Sequence, residues 1–439
     1  MNAVTYTHFD EARAAAQRSA ERYRNGTALP LDGVTVGVKD EHGLPGWRIT
    51  QGSRLLADFT LSQADPIAER LVEAGAVLHL QSTAPEFYLA AVTWSELWGV
   101  TRNPWNLDYA VGGSSGGSGA ALAAGICTLA TGSDMGGSIR IPCAFNGLYG
   151  FKPPYGRVPT STDMLLLIAS SGPMGRTLTD IIHMQNAISG PHPYAPTAIS
   201  PKLEIPHEFA GIEGMRIACS PDQSWAVIDS ETEANTKAAV QLLRDQGAIV
   251  DEVDLELGIT DADISAAFAE AALHGPTGDV LATTGDRDQM TTYARYFAEK
   301  VDLGFGSAEA RSFQDNIIAA HRALQDTVFG QGYEAMVTPT LATSHVPADY
   351  DYTSDGIIIE GQSVHPLAGW ILTVLFNILY TYPVVCLPTG RTSQAMPTGL
   401  QVVAGPYDDL TAFRVANSLA AVGPRLFTDD EFPTFSHGA

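Results

Sequence analysis

Short apolar runs alternate along the chain with stretches whose apolar residues recur every three or four positions. The short runs are typical of buried strands, and the periodic stretches are typical of helices that face a core. The pattern predicts strands at 34–38, 76–80, 126–132, 215–219, 249–255, 333–339, 383–388 and 399–405. It predicts helices near the N-terminus and at 65–75, 115–125, 230–248 and 409–423. Such alternation favours an α/β sheet covered by helices on both faces.

One apolar span is long enough to raise the question of a membrane helix. No charged side chain occurs between Glu360 and Arg391, and Trp370–Tyr380 is nearly all apolar. A membrane-spanning helix needs about 20 apolar residues. Asn377 and Pro383 interrupt this span, so it favours a buried helix that leads into a buried strand. We therefore predict no membrane association.

Composition and charge narrow the class of protein. The 439 residues are 45% hydrophobic, which is enough for a large core, and the formal net charge is −24. This charge disfavours nucleic acid as a partner, because its phosphates require clustered positive charge. The four cysteines show no CxxC spacing, and the N-terminus lacks an apolar signal core. We therefore predict free thiols, no metal or other cofactor, and a cytoplasmic protein.

The most unusual local composition lies between Val111 and Pro142, where two Gly/Ser clusters occur at 112–119 and 136–138. A phosphate-binding loop is one interpretation, but the GxxxxGK[ST] pattern is absent. A serine-hydrolase elbow is another, since residues 112–116 match GxSxG. That elbow requires a buried strand directly before it, whereas a polar stretch precedes this one. Neither interpretation accounts for the segment.

Lys39 is the most informative of only five lysines in the chain. It ends an apolar strand, where desolvation would disfavour the charged amine and lower its pKa. A neutral amine can act as a general base. The alternative is that Lys39 forms an ordinary ion pair with Asp40, Glu41 or another carboxylate.

Several segments together resemble the amidase signature family over nearly the whole chain. They are VGVKD (36–40), STAPEF (82–87), GVTRNPWN (99–106), GGSSGGSGAALAAG (112–125), TGSDMGGSIRIPCAFNGLYGFKP (131–153), SGPMGRT (171–177), VTPT (337–340), CLPTG (386–390) and MPTGLQVVAGPYDD (396–409). The resemblance implies one amidase domain over residues 1–439, built on a single large, mixed and mostly doubly covered sheet. Residues of about 30–180 would form its catalytic core, and those of about 190–380 would shape the substrate site.

The resemblance also implies the catalytic residues. The nucleophile would be Ser138, whose proton passes through Ser114 to Lys39, and the bond between Gly113 and Ser114 would be cis. Backbone N–H groups of Met135, Gly136, Gly137 and Ser138 would form the oxyanion hole. Asp134, Arg140 and Ser115 would brace the two loops, although Ser115 as a simple turn serine is an equal alternative.

Departures from the family pattern bear on the substrate. Many relatives carry a polar Ser-Leu-Asp where this chain has residues 167–169, Leu-Ile-Ala. We therefore expect a small-molecule amide that is neutral or apolar, with anilides, carbamates and esters as related possibilities. The expected pocket residues are Trp47, Met164, Leu165 and Leu166, for which ordinary core packing is the alternative. A glutaminase subunit that delivers ammonia to a partner protein is the second hypothesis. A homodimer is one expectation for the assembly, because homodimers are the commonest soluble oligomeric enzymes.

Overall fold

The structure is a computed structural model that describes residues 1–160, 166–257, 281, 286–302, 307–428, 432–433 and 435, with the backbone alone for 307–314. An 11-stranded mixed sheet runs through it. The strands, in chain order and including two short ribbons outside the sheet, are β1 (Val4–Thr7), β2 (Thr35–Lys39), β3 (Val77–Ser82), β4 (Trp94–Ser95), β5 (Gly99–Val100), β6 (Leu129–Asp134), β7 (Tyr149–Lys152), β8 (Ser170–Gly175), β9 (Arg216–Cys219), β10 (Ile249–Glu252), β11 (Ala335–Pro339), β12 (Ile357–Ile359), β13 (Gln362–Val364), β14 (Val384–Arg391) and β15 (Pro397–Ala404).

The order of strands in the sheet is β1-β3-β2-β6-β8-β7-β14-β15-β11-β9-β10. Parallel pairs join β3, β2 and β6 at one end and β10, β9 and β11 at the other. The centre is antiparallel, from β6 through β8, β7 and β14 to β15 and β11. Strand β1, which the sequence pattern did not predict, pairs antiparallel with β3 at the edge.

Ten α-helices whose bounds lie within the described residues accompany the sheet: α1 (Phe9–Asn25), α2 (Pro66–Glu73), α3 (Gly116–Ala123), α4 (Arg140–Asn146), α5 (Leu178–Ile188), α6 (Ser230–Asp245), α7 (Thr292–Asp302), α8 (Ser307–Thr327), α9 (Leu375–Ile378) and α10 (Asp409–Val422). Local sequence sets several ends. Asp65 caps α2, with Pro66 at its first turn, and Thr177 forms a capping box with Asp180 at the start of α5.

Apolar clusters cover the sheet on both faces. On β14, Val385 and Leu387 belong to a cluster that includes residues of α5, α6 and α10. Cys386 between them belongs to another cluster, which includes residues of α3 and α4. Successive side chains of a strand point to opposite faces. The predicted α/β class with helices on both faces is therefore confirmed.

The apolar span before Arg391 divides as the sequence predicts. It contains the short buried helix α9 and then strand β14. Within the described part of the chain, no helix has the length and apolar character needed to cross a bilayer. All four cysteines are buried and free, as expected from their spacing.

Candidate active site

The site lies where two neighbouring parallel strands end. Strands β2 and β6 pair side by side, Lys39 is the last residue of β2, and Asp134 is the last residue of β6. Ser138 lies in the loop between β6 and α4, and Ser114 lies just before α3. Ligands of α/β folds bind at the carboxyl ends of parallel strands. The topology therefore brings together Lys39, Ser114 and Ser138, which are up to 99 positions apart in the sequence.

The Lys39 side chain is fully buried, and its amine contacts three described polar side chains. Its Nζ donates to Ser114 Oγ at 2.8 Å and to Ser133 Oγ at 2.7 Å. It also lies 3.1 Å from Glu41 Oε2. The sequence left two interpretations of Lys39 open, a general base and a member of an ion pair. The structure shows contacts of both kinds, because the amine contacts a serine and a carboxylate.

The Tyr88 ring covers the amine, with Lys39 Nζ 4.6 Å from the ring centroid. The Tyr88 hydroxyl donates to the Asp40 carbonyl at 2.8 Å. Phe87 and Tyr88 both have positive φ angles, of 51° and 65°, which are uncommon for residues other than glycine. This strained turn carries an aromatic residue that both contacts the amine and lines the cavity, a contact that the sequence did not predict.

The two serine loops contact each other directly. The bond between Gly113 and Ser114 is cis, and the Ser115 N–H donates to the Ser138 carbonyl at 3.3 Å. A Cβ atom added at Gly113 would lie 2.5 Å from the Ala90 carbonyl oxygen. The close approach of the Gly113 backbone to the Ala90 segment therefore requires glycine. Ser114 is buried, whereas Ser138 is only partly buried. Of the three residues, Ser138 is the one accessible from the cavity.

Asp134 organises the loop that carries Ser138. Its carboxylate accepts hydrogen bonds from the N–H groups of Gly137 at 2.8 Å and Ile139 at 3.3 Å. Arg140 pairs with it through two side-chain nitrogens, at 2.9 and 2.8 Å. Burial opposes the charge of Asp134, but Arg140 prevails and holds its pKa at about 2. The ion pair therefore stays charged while it fixes the loop.

Three residues from distant segments hold Arg140 in turn. Its guanidinium donates to Gln401 Oε1 and Asn377 Oδ1, both at 2.6 Å, and to the Thr373 carbonyl at 2.9 Å. Asn377 also donates to Asp134 Oδ1 at 2.8 Å. The sequence alone did not predict these roles. A lone amide inside an otherwise apolar run was the available signal for Asn377, since a buried amide requires partners.

The loop geometry changes the predicted set of oxyanion donors. The Gly137 N–H points to Asp134, and the Gly136 carbonyl of the same peptide accepts from Thr373 Oγ1 at 2.5 Å. This peptide is therefore held from both sides, and Gly137 is not free to donate to a ligand. For the N–H groups of Met135, Gly136 and Ser138, no acceptor occurs among the described residues. These three remain as the predicted donors.

An apolar cavity opens in front of Ser138. It encloses about 440 Å³ of empty space, part of which is open to solvent. One wall comes from the serine loops and residues 88–91, together with Ile141 of α4. The other described lining residues come from a distant segment and are Leu367, Ala368, Ile371 and Val374. None of the described lining residues carries a charge.

The two predicted pocket residues that the structure describes, Trp47 and Leu166, are not among the described residues that line this cavity. Trp47 lies in a separate core cluster beside α2, where its ring stacks on His8 at a centroid distance of 3.6 Å. Leu166 is partly buried and is not a lining residue, and Met164 and Leu165 lie outside the described residues. Trp47 follows the Lys39 strand closely in sequence, but it packs in this core cluster and is not a described lining residue of the cavity.

One group of side chains in the described chain has the composition of a metal site: Asp229, Glu231 and His345. Asp229 already caps α6, and Glu231 accepts from the backbone N–H of Ser393 at 2.6 Å. None of the three lines the cavity. The group does not take part in the site described above.

The fold and the site together define an α/β enzyme with a lysine and two serines at its strand ends. A family model described as Amidase matches residues 1–412. The chain belongs to this family, the amidase signature family, and is an amide hydrolase of that class.

Individual relatives differ in their stated activities. The chain is 33% identical to the A subunit of the glutamyl-tRNA(Gln) amidotransferase of Deinococcus radiodurans, over 95% of this chain and 89% of that protein. It is 32% identical to the corresponding protein of Chloroflexus aggregans, over 94% and 87%. A bacterial aryl acylamidase of the amidase signature family superposes with a TM-score of 0.85 at 26% identity, over 96% of this chain and 92% of that one.

Proposed function

We propose that the protein is a free-standing amidase that hydrolyses small, neutral or apolar amides through an acyl-enzyme on Ser138. The observation that carries this proposal is the position of Ser138 at the mouth of an apolar cavity, with the buried Lys39–Ser114 hydrogen bond behind it. The products would be a carboxylic acid and ammonia or an amine. Four buried free thiols are compatible with a cytoplasmic location, which we also propose.

In the proposed mechanism, Ser138 Oγ attacks the amide carbonyl carbon and its proton moves to Ser114. Ser114 gives its own proton to Lys39 Nζ, 2.8 Å away. A serine hydroxyl is a weak nucleophile at neutral pH and needs such a positioned base. The negative oxygen of the tetrahedral intermediate would accept hydrogen bonds from the N–H groups of Met135, Gly136 and Ser138.

The second half of the reaction returns the proton. Lys39 reprotonates Ser114, which protonates the leaving nitrogen as the carbon–nitrogen bond breaks and the ester to Ser138 remains. Water then attacks this ester, and the same relay takes a proton from the water and returns it to Ser138. The sum is one amide and one water consumed, with one acid and one amine released.

The cavity lining supports an apolar substrate over glutamine. Glutamine carries an α-ammonium and an α-carboxylate, and burying these charges requires oppositely charged partners. The described lining offers aliphatic and aromatic side chains and no charged one. An anilide or aliphatic amide could instead bury apolar surface there, at about 25 cal/mol per Å².

A substrate panel tests the proposal. We expect the purified chain to hydrolyse apolar anilides or amides, and we expect Ser138→Ala and Lys39→Ala to lower kcat/KM by at least about a thousandfold. Ser171→Ala is the matched control. Ser171 is a buried serine on the adjacent strand β8, and its hydroxyl has no partner among the described residues. Wild-type turnover by the Ser138 or Lys39 variant would refute the mechanism.

A second hypothesis, the glutaminase component of an amidotransferase, is favoured by the identity to the two amidotransferase proteins over most of their length. It predicts little hydrolysis of apolar amides and ammonia release from glutamine only in the presence of a partner protein. Glutamine and an apolar anilide, assayed side by side with the isolated chain, distinguish the two hypotheses.

A further inference from the structure

Glu41 stands two positions after Lys39, and its carboxylate contacts the proton relay. Glu41 Oε2 lies 3.1 Å from Lys39 Nζ and accepts from Ser133 Oγ at 2.6 Å. Ser133 Oγ in turn accepts from Lys39 Nζ at 2.7 Å. The amine, the hydroxyl and the carboxylate thus form a closed triangle on the side of Lys39 away from its bond to Ser114.

This arrangement satisfies Lys39 in both protonation states. As an ammonium, Lys39 can donate its three hydrogens to Ser114, Ser133 and Glu41. As a neutral amine, it donates two hydrogens to Ser133 and Glu41 and turns its lone pair to the Ser114 hydroxyl. Neither state leaves a buried donor without an acceptor, so proton transfer requires no rearrangement of the site.

We propose that Glu41 is a positioning residue of the relay, which fixes the Lys39 amine against Ser114 and stabilises the ammonium that forms when Lys39 accepts the nucleophile's proton. This inference rests on the proposed function, in which Lys39 is the base. It concerns the contact between Lys39 and Glu41. Burial opposes ionisation of Glu41, but Lys39, His42 and the Ser133 hydrogen bond hold its pKa below its ordinary value.

Other charged groups near Lys39 have partners of their own. His42 lies 3.2 Å from Asp65, which raises the pKa of this buried histidine against the effect of burial. The Asp40 carboxyl accepts from the Thr50 N–H at 2.8 Å and from the Thr50 hydroxyl. Burial raises the pKa of Asp40 to about 6.

On the remaining sides, the uncharged Tyr88 ring covers Lys39, and the Asp134 carboxylate is paired with Arg140. Among these described carboxylates, Glu41 is in direct contact with the amine, so its removal should change the titration of Lys39.

The test is to follow the titration of Lys39 directly. The chain has five lysines, so protein labelled with ¹³C at the lysine ε carbons gives few signals, and Lys39→Arg identifies the signal of Lys39. An opposite charge within about 4–6 Å shifts a titration by about 1–3 units. We expect Glu41→Gln to lower the Lys39 midpoint by about 1–3 pH units and Glu41→Ala to do the same. An unchanged midpoint in whichever of these variants folds would overturn the proposal.

Glu233→Gln is the matched control, because Glu233 forms an exposed ion pair with Lys237 at 2.6 Å. It should leave the Lys39 midpoint where it is in the wild type. A downward shift in this variant as large as that in Glu41→Gln would overturn the proposal, since net charge alone would then explain the effect.

Kinetics then separate this inference from the proposed function. In Glu41→Gln, the acid limb of kcat/KM for the best amide should move to lower pH with the Lys39 midpoint, and a weaker base should lower the plateau by about tenfold. Amide turnover with an unchanged Lys39 midpoint would overturn the role of Glu41 alone. A shifted midpoint with an unmoved acid limb would show instead that Lys39 is not the base, which overturns both.

Discussion

Replacing Gly137 by alanine should disable the loop that carries Ser138 while leaving the fold intact. Gly137 has a φ of +124°, which side chains of L-residues rarely adopt. A Cβ atom there would lie 2.7 Å from both Thr373 Cβ and Ile141 Cδ1, and closer still to Thr373 Oγ1. Thr373 holds the Gly136 carbonyl, so the new methyl group must displace the residue that orients this peptide.

The magnitudes follow from these contacts. Overpacking typically costs about 1–3 kcal/mol, and backbone strain adds about 1–3 kcal/mol. Loss of alignment of one oxyanion donor costs about 3–4 kcal/mol of barrier, which is a 100- to 1,000-fold loss of kcat. We therefore expect a variant that folds with reduced stability and has at most about one hundredth of the wild-type kcat.

The assay combines steady-state hydrolysis of an anilide with urea unfolding of the same preparation. Gly125→Ala is the matched control, because Gly125 has a φ of +70° and a Cβ atom there would meet nothing within 4 Å. It should lose about 1–2 kcal/mol of stability through backbone strain and retain wild-type kcat. Wild-type kcat in Gly137→Ala would refute the assignment of this loop to oxyanion stabilisation.

Three further predictions address stability and substrate size. Burial lowers the pKa of Lys152 to about 7, against 10.5 when exposed. Between these values the unfolded chain binds a proton that the folded chain does not, so Lys152 makes stability rise by about 1.4 kcal/mol per pH unit. Urea unfolding from pH 7 to 10 should show this slope in the wild type and not in Lys152→Met, and equal slopes would contradict the prediction. Arg140→Met should lose about 3–5 kcal/mol at pH 7, because it leaves the buried Asp134 charge without its partner. A loss below about 1 kcal/mol in urea unfolding would argue against the ion pair. Ile371→Trp should narrow the cavity and raise KM for bulky anilides by about tenfold with little effect on acetamide, whereas the exposed Ile358→Trp should change neither. Equal effects on the large and the small amide would place Ile371 outside the substrate site.

Much of the fold and the elements that carry the site could be predicted from sequence because these features are local. Lys39 ends its apolar strand, and the Gly/Ser clusters flank a helix and a strand as their spacing predicts. The roles of Asp134 and Arg140 in holding the loop depend on an ion pair between residues six positions apart, which a motif can contain. The structure agrees with these expectations because neighbouring residues determine them.

The remaining features depend on contacts between distant segments. Part of the cavity lining comes from residues 367–374, which follow Ser138 by more than 200 positions. No pattern of apolar residues along the chain predicts that this segment packs near Ser138. The direction of the Gly137 N–H depends on Thr373, which holds the other side of the same peptide. The contact of Lys39 with Glu41 is local and was one of the alternatives that the sequence offered, but the turn after β2 that brings Glu41 to the amine is not determined by periodicity.

Direct observation of an acyl-enzyme would show whether Ser138 is the nucleophile. The protein would be mixed with an activated ester or anilide of an apolar acid, quenched in acid within milliseconds, digested and analysed by mass spectrometry. We expect one acyl group per chain, on Ser138, and no acyl group in Ser138→Ala. Turnover of the substrate with no acylated peptide, or with the acyl group on another residue, would contradict this assignment.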